Sequence, residues 1–421
     1  MKTKPPKTIL QKRLLQTKLI IKRYPIFPYL LKWVMICLMI GILVGTAAAG
    51  FLISLDWATN FRENNNYLIL FLPLAGFVVG WAYHTWGKEI EGGNNVLLSN
   101  IHQPDKIVPF KMAMFIYLGT IITHLFGGSA GREGTALQMA GAICDQLTKP
   151  LQLNTADRKT LLLAAIAAGF GAVFGTPLAG AVFALEVAVI GLISYRAIFP
   201  VFMAAIFADL VTHLWQAKHT VYKIAFIPPI SFLHIFYAIF AGVIFGLCAI
   251  IFTKAMHFCS HLFKKHINYA PLRPFAGGLL VLLLVWFLDT QQYLGLGIAM
   301  ISTSFEMPLT FDVFALKMLF TVITLSAGFK GGEVTPLFFI GATLGSALAM
   351  FIPLPFGLLA GMGFVAVFAG ATNTPLACML MGIELFGASC GVYVAIACIV
   401  SYLIAGHNSI YNKQKIGEPK I

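Results

Sequence analysis

Charge is scarce in this chain. Of its 421 residues only 11% are charged, 29 Lys and Arg against 16 Asp and Glu, while 59% are hydrophobic. A soluble domain carries about 25% charged residues, so this composition excludes a solvated globular surface. No C-x-x-C pair occurs among the seven cysteines and none has a close His partner, which excludes a disulfide framework or a metal cluster. Most, such as Cys37, Cys248 and Cys398, sit in apolar runs and read as small packing residues. No acidic residue interrupts the N-terminal series Lys2, Lys4, Lys7, Lys12, Arg13, Lys18, Lys22 and Arg23. Such a cluster ahead of a first apolar run marks a cytoplasmic end. A small-residue cleavage site is missing close behind that run, which argues against a removed signal peptide. With Lys413, Lys415 and Lys420 near the other end, both termini are expected in the cytoplasm. The net charge of +13 then meets anionic lipid heads rather than nucleic acid, because the excess sits in the juxtamembrane arm. No soluble domain is expected after Ile404.

What is present is apolar sequence in long runs: Trp33 to Leu55, Leu68 to Val79, Leu161 to Leu192, Ile235 to Phe252 and Val392 to Ile404. Each, alone or slightly extended, is a membrane-helix candidate, so the chain is polytopic.

The chain also repeats itself. Gly131-Arg132-Glu133-Gly134-Thr135-Ala136-Leu137, with Gly141-Ala142 following, matches Gly331-Gly332-Glu333-Val334-Thr335-Pro336-Leu337 with Gly341-Ala342. Both read G-x-E-x-T-x-L-x-x-x-G-A. Thr176-Pro177-Leu178-Ala179 ahead of Glu186 then matches Thr374-Pro375-Leu376-Ala377 ahead of Glu384, at identical internal spacing. Two matches in one order mark duplicated halves, and duplicated membrane halves suggest a transporter or channel with its site at the repeat interface. The repeat itself leaves parallel and inverted arrangements open. We divide the chain into a basic arm (1–30), a first half (31–215), a second half (216–405) and a short C-terminal segment (406–421).

Many apolar runs are cut by Gly and Pro, and broken backbone at membrane depth is tolerated where it is buried in protein or lines a cavity. In Phe126 to Thr135 glycines permit close approach, a helix-compatible run follows, and Glu133 lies inside. Free N–H groups at a helix start form an anion site, and an ionisable residue at that depth is a functional candidate. An ionised Glu133 competes with an anion for the same donors; a protonated one releases them. A lone Glu would read as a helix cap, but the duplicate at Glu333 favours function. Thr335 adds a hydroxyl before Pro336, which suits a first helical turn. Lys330 reads as a helix-end or interfacial charge rather than a ligand. Glu186 and Glu384 are expected to be structural, bonding loop backbone in each half. Asn94-Asn95 forms a third polar break and Ala405 to Tyr411 a fourth, where Tyr411 can point a phenol inward or anchor at the interface.

One enzyme motif occurs. Gly127-Gly128-Ser129-Ala130-Gly131 satisfies G-x-S-x-G with His124 nearby. A nucleophile elbow needs a strand-to-helix turn, and no strand alternation surrounds Ser129. The chain is not expected to be an enzyme.

Together these segments resemble the CLC family of chloride channels and proton-coupled anion antiporters. Gly131-Arg132-Glu133-Gly134 is similar to the family's G-R-E-G signature, Ala167 to Gly180 to its A-A-G…F-x-x-P-L-A-G stretch, and Gly406-His407 through Tyr411 and Gln414 to its G-H-x-x-I-Y-x-x-Q end. Departures point to one branch. Gly93-Asn94-Asn95 replaces G-S-G-x-P, Thr135 replaces the proline of G-R-E-G-P, and Gly332-Glu333-Val334-Thr335-Pro336 replaces G-x-F-x-P. Val187 stands where chloride/proton antiporters carry an inner glutamate. All four resemble the fluoride-exporting branch.

That resemblance implies an all-α integral membrane fold, an inverted repeat of many tilted and broken helices, with one anion pathway per subunit of a homodimer and no cofactor. It implies a proton-coupled fluoride antiporter of the cell (inner) membrane, exporting fluoride from the cytoplasm. A chloride/proton antiporter or passive anion channel of the same fold is the alternative. Glu133 would gate and carry protons and Glu333 would be a second carboxylate. Asn94, Thr335, Tyr411 and the segment Gly131, Arg132 and Gly134 would bind the anion. Fluoride suits such a site chemically, since it is small, strongly hydrated and shares protons readily.

Overall fold

A computed structural model describes residues 26–104 and 106–420. The basic cluster lies outside the described residues, and positions 26–30 of the expected arm already belong to the first helix. Among the described residues the chain forms sixteen α-helices. The first eight are α1 (Ile26–Glu63), α2 (Leu72–Trp86), α3 (Asn94–His102), α4 (Lys111–Leu125), α5 (Glu133–Asp145), α6 (Thr155–Phe174), α7 (Pro177–Glu186) and α8 (Ile198–Leu214). The second eight are α9 (Phe232–His266), α10 (Leu272–Leu288), α11 (Ile298–Glu306), α12 (Phe311–Ser326), α13 (Val334–Leu348), α14 (Phe356–Thr372), α15 (Pro375–Phe386) and α16 (Gly391–Ala405). The halves match element by element. Each opens with its longest helix, 38 and 35 residues, and each has a nine-residue stub in third place.

Five stretches, Ile26–Glu63, Asn66–Trp86, Tyr195–Leu214, Phe232–His266 and Ala388–Ala405, are long and apolar enough to cross a bilayer. At 1.5 Å per residue α1 is about 57 Å long, so it crosses the hydrocarbon only with a tilt. It exposes Met35, Leu38, Ile42 and Ile53, while α9 exposes Phe236, Phe240, Leu247 and Ile251. Those apolar faces suit lipid, not water. The run Leu161 to Leu192 is not one such span. Gly175 adopts φ +69° as the C-cap of α6, and Pro177 starts α7 afresh. From Leu161 to Phe174 every residue of α6 is buried, so it is a core helix walled by other helices.

Small residues let these inner helices touch. A Cβ added at Gly341 in α13 would fall 2.0 Å from Gly363 O in α14, and one at Gly363 would fall 2.0 Å from Gly341 O. Without water between them, membrane helices associate through such close packing.

Glu186 and Glu384 settle the orientation of the halves. Glu186, at the end of α7, accepts hydrogen bonds from the N–H groups of Leu376 (3.2 Å) and Ala377 (2.8 Å) at the start of α15. Glu384, at the end of α15, accepts from Leu178 (3.0 Å) and Ala179 (2.8 Å) at the start of α7. Each carboxylate thus caps the first turn of the other half's helix, not a loop within its own half. Two N–H groups that a helix start leaves open are satisfied each time. The pairing requires α7 and α15 to run antiparallel, so the repeat is inverted.

Two short strands, β1 (Val189–Ile190) and β2 (Lys415–Ile416), pair in parallel and tie the C-terminal segment to the loop after α7.

Candidate functional site

The starts of α5 and α13 meet through their preceding loops. Gly131 N–H donates to Gly332 O (2.6 Å) and Gly332 N–H donates to Gly131 O (2.8 Å), a small antiparallel bridge between the halves. Gly131 is therefore not the free donor expected from the sequence, because its N–H holds the other loop.

Glu133 is fully buried and reaches across this bridge. Its Oε2 accepts from Thr335 N–H (3.0 Å), from Thr335 Oγ1 (2.5 Å) and from its neighbour's Arg132 N–H (3.2 Å). The carboxylate thus sits on the N-terminus of α13, where an anion would be held. Its other oxygen, Oε1, lies 3.4 Å from Arg132 Nε, and neither atom has a hydrogen-bond partner among the described residues. The repeat does not extend to this contact. Thr135, the counterpart of Thr335, pairs instead with Thr120 Oγ1 (2.7 Å), and Glu333 turns to line a cavity.

That cavity, about 660 Å³, contains Asn94, Glu333 and Tyr411 in its lining. Asn94 opens α3 behind Gly93, whose φ of +57° makes the break. A Cβ on Gly134 would stand 3.2 Å from Asn94 Nδ2 and 3.7 Å from Glu333 Oε2, so α3, α5 and α13 converge by their N-termini. Among the described residues Asn94 Oδ1 and the Tyr411 hydroxyl are buried without a partner. Tyr411 is held by its own segment: Ile410 N–H donates to Ala371 O (3.0 Å), and Gln414 Nε2 donates to Thr372 O (2.8 Å). Asn95 Oδ1 accepts from Lys413 N–H (3.1 Å), tying the third and fourth breaks together.

Glu133, Thr335, Asn94, Gly134, Glu333 and Tyr411 are thus one constellation. Behind Tyr411, Val187 sits with Leu97, Leu98, Leu137 and Ile166 around only about 10 Å³ of free space. That is about the space a single water needs, walled by apolar side chains apart from Asn94 and Tyr411. Lys330 lies just ahead of α13, as its reading as a helix-end charge expects. Its ammonium lies 3.9 Å from the centre of the Tyr83 ring and borders the large cavity. Its sequence neighbourhood carried no signal for this beyond its place three residues before Glu333. The hydrolase dyad does not form: Ser129 Oγ pairs with Thr321 Oγ1 (3.0 Å), while both ring nitrogens of His124 face backbone carbonyls, of Thr120 and Ala130.

The cavity is bordered by Tyr83, His84 and Lys88 at the end of α2, so it opens on the membrane face where α1 begins. A second cavity, about 450 Å³, is bordered by Asp56, Arg62 and Glu63 where α1 ends. A membrane protein with inverted halves, helix starts converging on a carboxylate, and a cavity reaching them has the build of an ion transporter or channel.

The comparisons give that class its family. A model described as "Voltage gated chloride channel" matches residues 75–406, and the chain belongs to this family, the CLC channels and antiporters. It is a multi-pass membrane protein that moves anions, not an enzyme. The chain is 51% identical over 401 residues to a chloride/fluoride channel protein of Pseudomonas syringae pv. tomato, covering 94% of this chain and 89% of that one. Among solved structures it is similar to a CLC-type fluoride/proton antiporter, with TM-score 0.89 and 35% identity over 92% of this chain and 98% of the other. A slow cyanobacterial Cl−/H+ antiporter shares the fold at TM-score 0.78 and 17% identity, over 89% of this chain and 94% of the other.

Proposed function

We propose that this chain is a proton-coupled antiporter that exports fluoride from the cytoplasm, with Glu133 as the gate and proton carrier. The observation that carries this reading is the seat of the Glu133 carboxylate on Thr335 N–H and Oγ1. An ionised carboxylate and a fluoride ion compete for those donors. Protonation removes the charge that holds Glu133 on the start of α13, so uptake of a proton frees the donors for the anion. The unpartnered Tyr411 hydroxyl and the Asn94 amide supply further donors on the approach. Fluoride, which sheds its water only against short, strong donors, fits such a set. Glu333 borders the cavity next to Asn94 and is our candidate for the second proton-handling carboxylate. Val187 in its nearly closed apolar setting supports a proton route unlike that of a chloride/proton antiporter with an inner glutamate. The likeness to a fluoride/proton antiporter structure over nearly the whole chain supports the same choice.

The basic residues before α1 argue that the large cavity faces the cytoplasm of the cell membrane. The C-terminal segment, bonded to Asn95 and His102 through Lys413, lies on that face too. We also infer a homodimer. Leu178, Leu376, Val392 and Ile399 are exposed on α7, α15 and α16, and the bond between Glu384 and Leu178 N–H lies in that surface. A carboxylate there is better covered by a second copy than by lipid. A monomeric mass by light scattering in mild detergent would refute the dimer.

Transport is tested in proteoliposomes loaded with fluoride or chloride, recording anion efflux and proton uptake together, for wild type and Glu133→Gln. Fluoride efflux that drives proton uptake, lost in the variant, with little chloride flux, is expected. Chloride flux equal to or above fluoride flux would overturn the substrate, and fluoride flux without protons would make the protein a channel.

A further inference from the structure

The large cavity is unevenly charged. Lys88, Lys264, Arg273 and Lys330 border it against two carboxylates, Glu91 and Glu333. Lys88 and Lys264 are exposed at its mouth, whereas Lys330 is more enclosed. Lys330 is also next to the pathway in sequence, since Gly331 and Gly332 alone separate it from Glu333. Two contacts fix it. Its stem crosses α4 at Gly119, where a Cβ would lie 2.9 Å from Lys330 Cγ and 3.0 Å from its Cβ. Its ammonium sits over the Tyr83 ring at 3.9 Å.

That ammonium is in no close ion pair among the described residues, although Glu91, which also borders the cavity, acts on it at longer range. Among the described residues no carboxylate lies within 4.0 Å of it, whereas Lys32 and Lys111 each have one. A cation held against an aromatic face keeps its charge in place while its N–H groups stay available on the side away from the ring. Structural lysines at membrane depth pair with acids or backbone carbonyls, as Lys317 does with Tyr293 O (3.0 Å) and Gly295 O (2.8 Å). Lys330 does neither among the described residues, and the space before it is a cavity leading to Asn94 and Tyr411.

We propose that Lys330, seated on Tyr83, forms an anion-capture subsite in this cavity, taking a small hydrated halide before it reaches Asn94 and Tyr411. The proposal deepens the transport reading above and rests on it for the identity of the halide. A cleft with an excess of one sign of charge, here four cations against two carboxylates, raises the local concentration of the opposite ion and its capture rate, by about tenfold or more where one sign dominates. Lys330 is a binding residue in this scheme; it neither gates nor carries the proton.

The test is initial anion efflux from proteoliposomes against internal anion concentration, using whichever of fluoride and chloride the wild type transports. Wild type, Lys330→Met and Lys330→Arg are compared at low and high concentrations of an impermeant salt. We expect Lys330→Met to raise the half-saturating anion concentration about tenfold with the maximal rate nearly unchanged, and Lys330→Arg to recover most of it. The wild-type half-saturation should rise with salt, because ions screen the capture field, and that of Lys330→Met should rise less steeply, since Lys88, Lys264 and Arg273 alone then supply the field. Half-saturation unchanged in Lys330→Met, or a lower maximal rate alone, would overturn the subsite. Should Lys330→Met not purify as a folded protein, the salt dependence of wild type against Lys330→Arg and Tyr83→Leu decides: no salt dependence in wild type, or the same in Tyr83→Leu, also overturns it. Transport of chloride in place of fluoride would refute the fluoride reading and leave this comparison intact; a wild type that moves neither refutes both.

Discussion

Thr335→Val isolates the contact on which the gate depends. The substitution keeps the size and branching of the side chain and leaves the Thr335 N–H donating to Glu133, but removes the hydroxyl that lies 2.5 Å from Glu133 Oε2. A hydrogen bond to a charged group contributes about 1.5–3 kcal/mol. If the anion takes over this hydroxyl only after a protonated Glu133 has left it, the hydroxyl is free in the state that binds, and the variant loses that increment from anion binding, a factor of roughly 10–150 in half-saturating concentration at about 1.4 kcal/mol per tenfold. Thr335→Ser retains the hydroxyl and should stay within a few-fold of wild type. Proteoliposome efflux measured across internal fluoride concentrations reads both. Thr335→Val should also melt lower than Thr335→Ser in detergent, since it strips a hydrogen bond from the buried Glu133 carboxylate while the Thr335 N–H bond remains. Equal half-saturation in Thr335→Val and Thr335→Ser would refute the idea that carboxylate and anion share this donor.

Tyr411→Phe should leave thermal stability near wild type, because the hydroxyl has no partner among the described residues, yet weaken anion binding about tenfold in the same assay; a large stability loss with normal transport would reverse that assignment. Glu186→Ala leaves the N–H groups of Leu376 and Ala377 without acceptors in a buried place, a cost of roughly 2–6 kcal/mol. It should lower the melting temperature in detergent by several degrees or abolish monodisperse expression, and a variant as stable as wild type would sink that account.

Much of the site was legible because its chemistry is local. Glu133 and Glu333 stand out since a carboxylate among glycines at a helix start is rare, and its duplication at equal spacing is rarer. Glu186 and Glu384 were readable as structural for the same reason. Their partners were not, because a bond spanning 190 residues leaves no trace in either flank. The inverted orientation has the same status: periodicity reports two halves but not their direction, which only the crossed caps of α7 and α15 fix. The run Leu161 to Leu192 misled because hydropathy measures avoidance of water and does not distinguish lipid from protein as the apolar neighbour. Gly131 was expected to offer its N–H outward, and only the facing loop of the other half reveals that Gly332 takes it. Lys330 was read as a helix-end or interfacial charge because a single lysine near a helix end is common, and the contacts that set it apart, with Tyr83 and Gly119, lie more than 200 residues away.

The crossed caps bear on how the protein is made. When α7 leaves the ribosome, the acceptors for its own first turn and the donors for Glu186 do not yet exist; both arrive with α15, some 190 residues later. During that interval the first half carries an uncapped helix start and a carboxylate without its amides, polar groups that need water or another partner until α15 arrives. A chain stopped before Leu376 should therefore be degraded faster than the full chain, which a pulse-chase measurement would read.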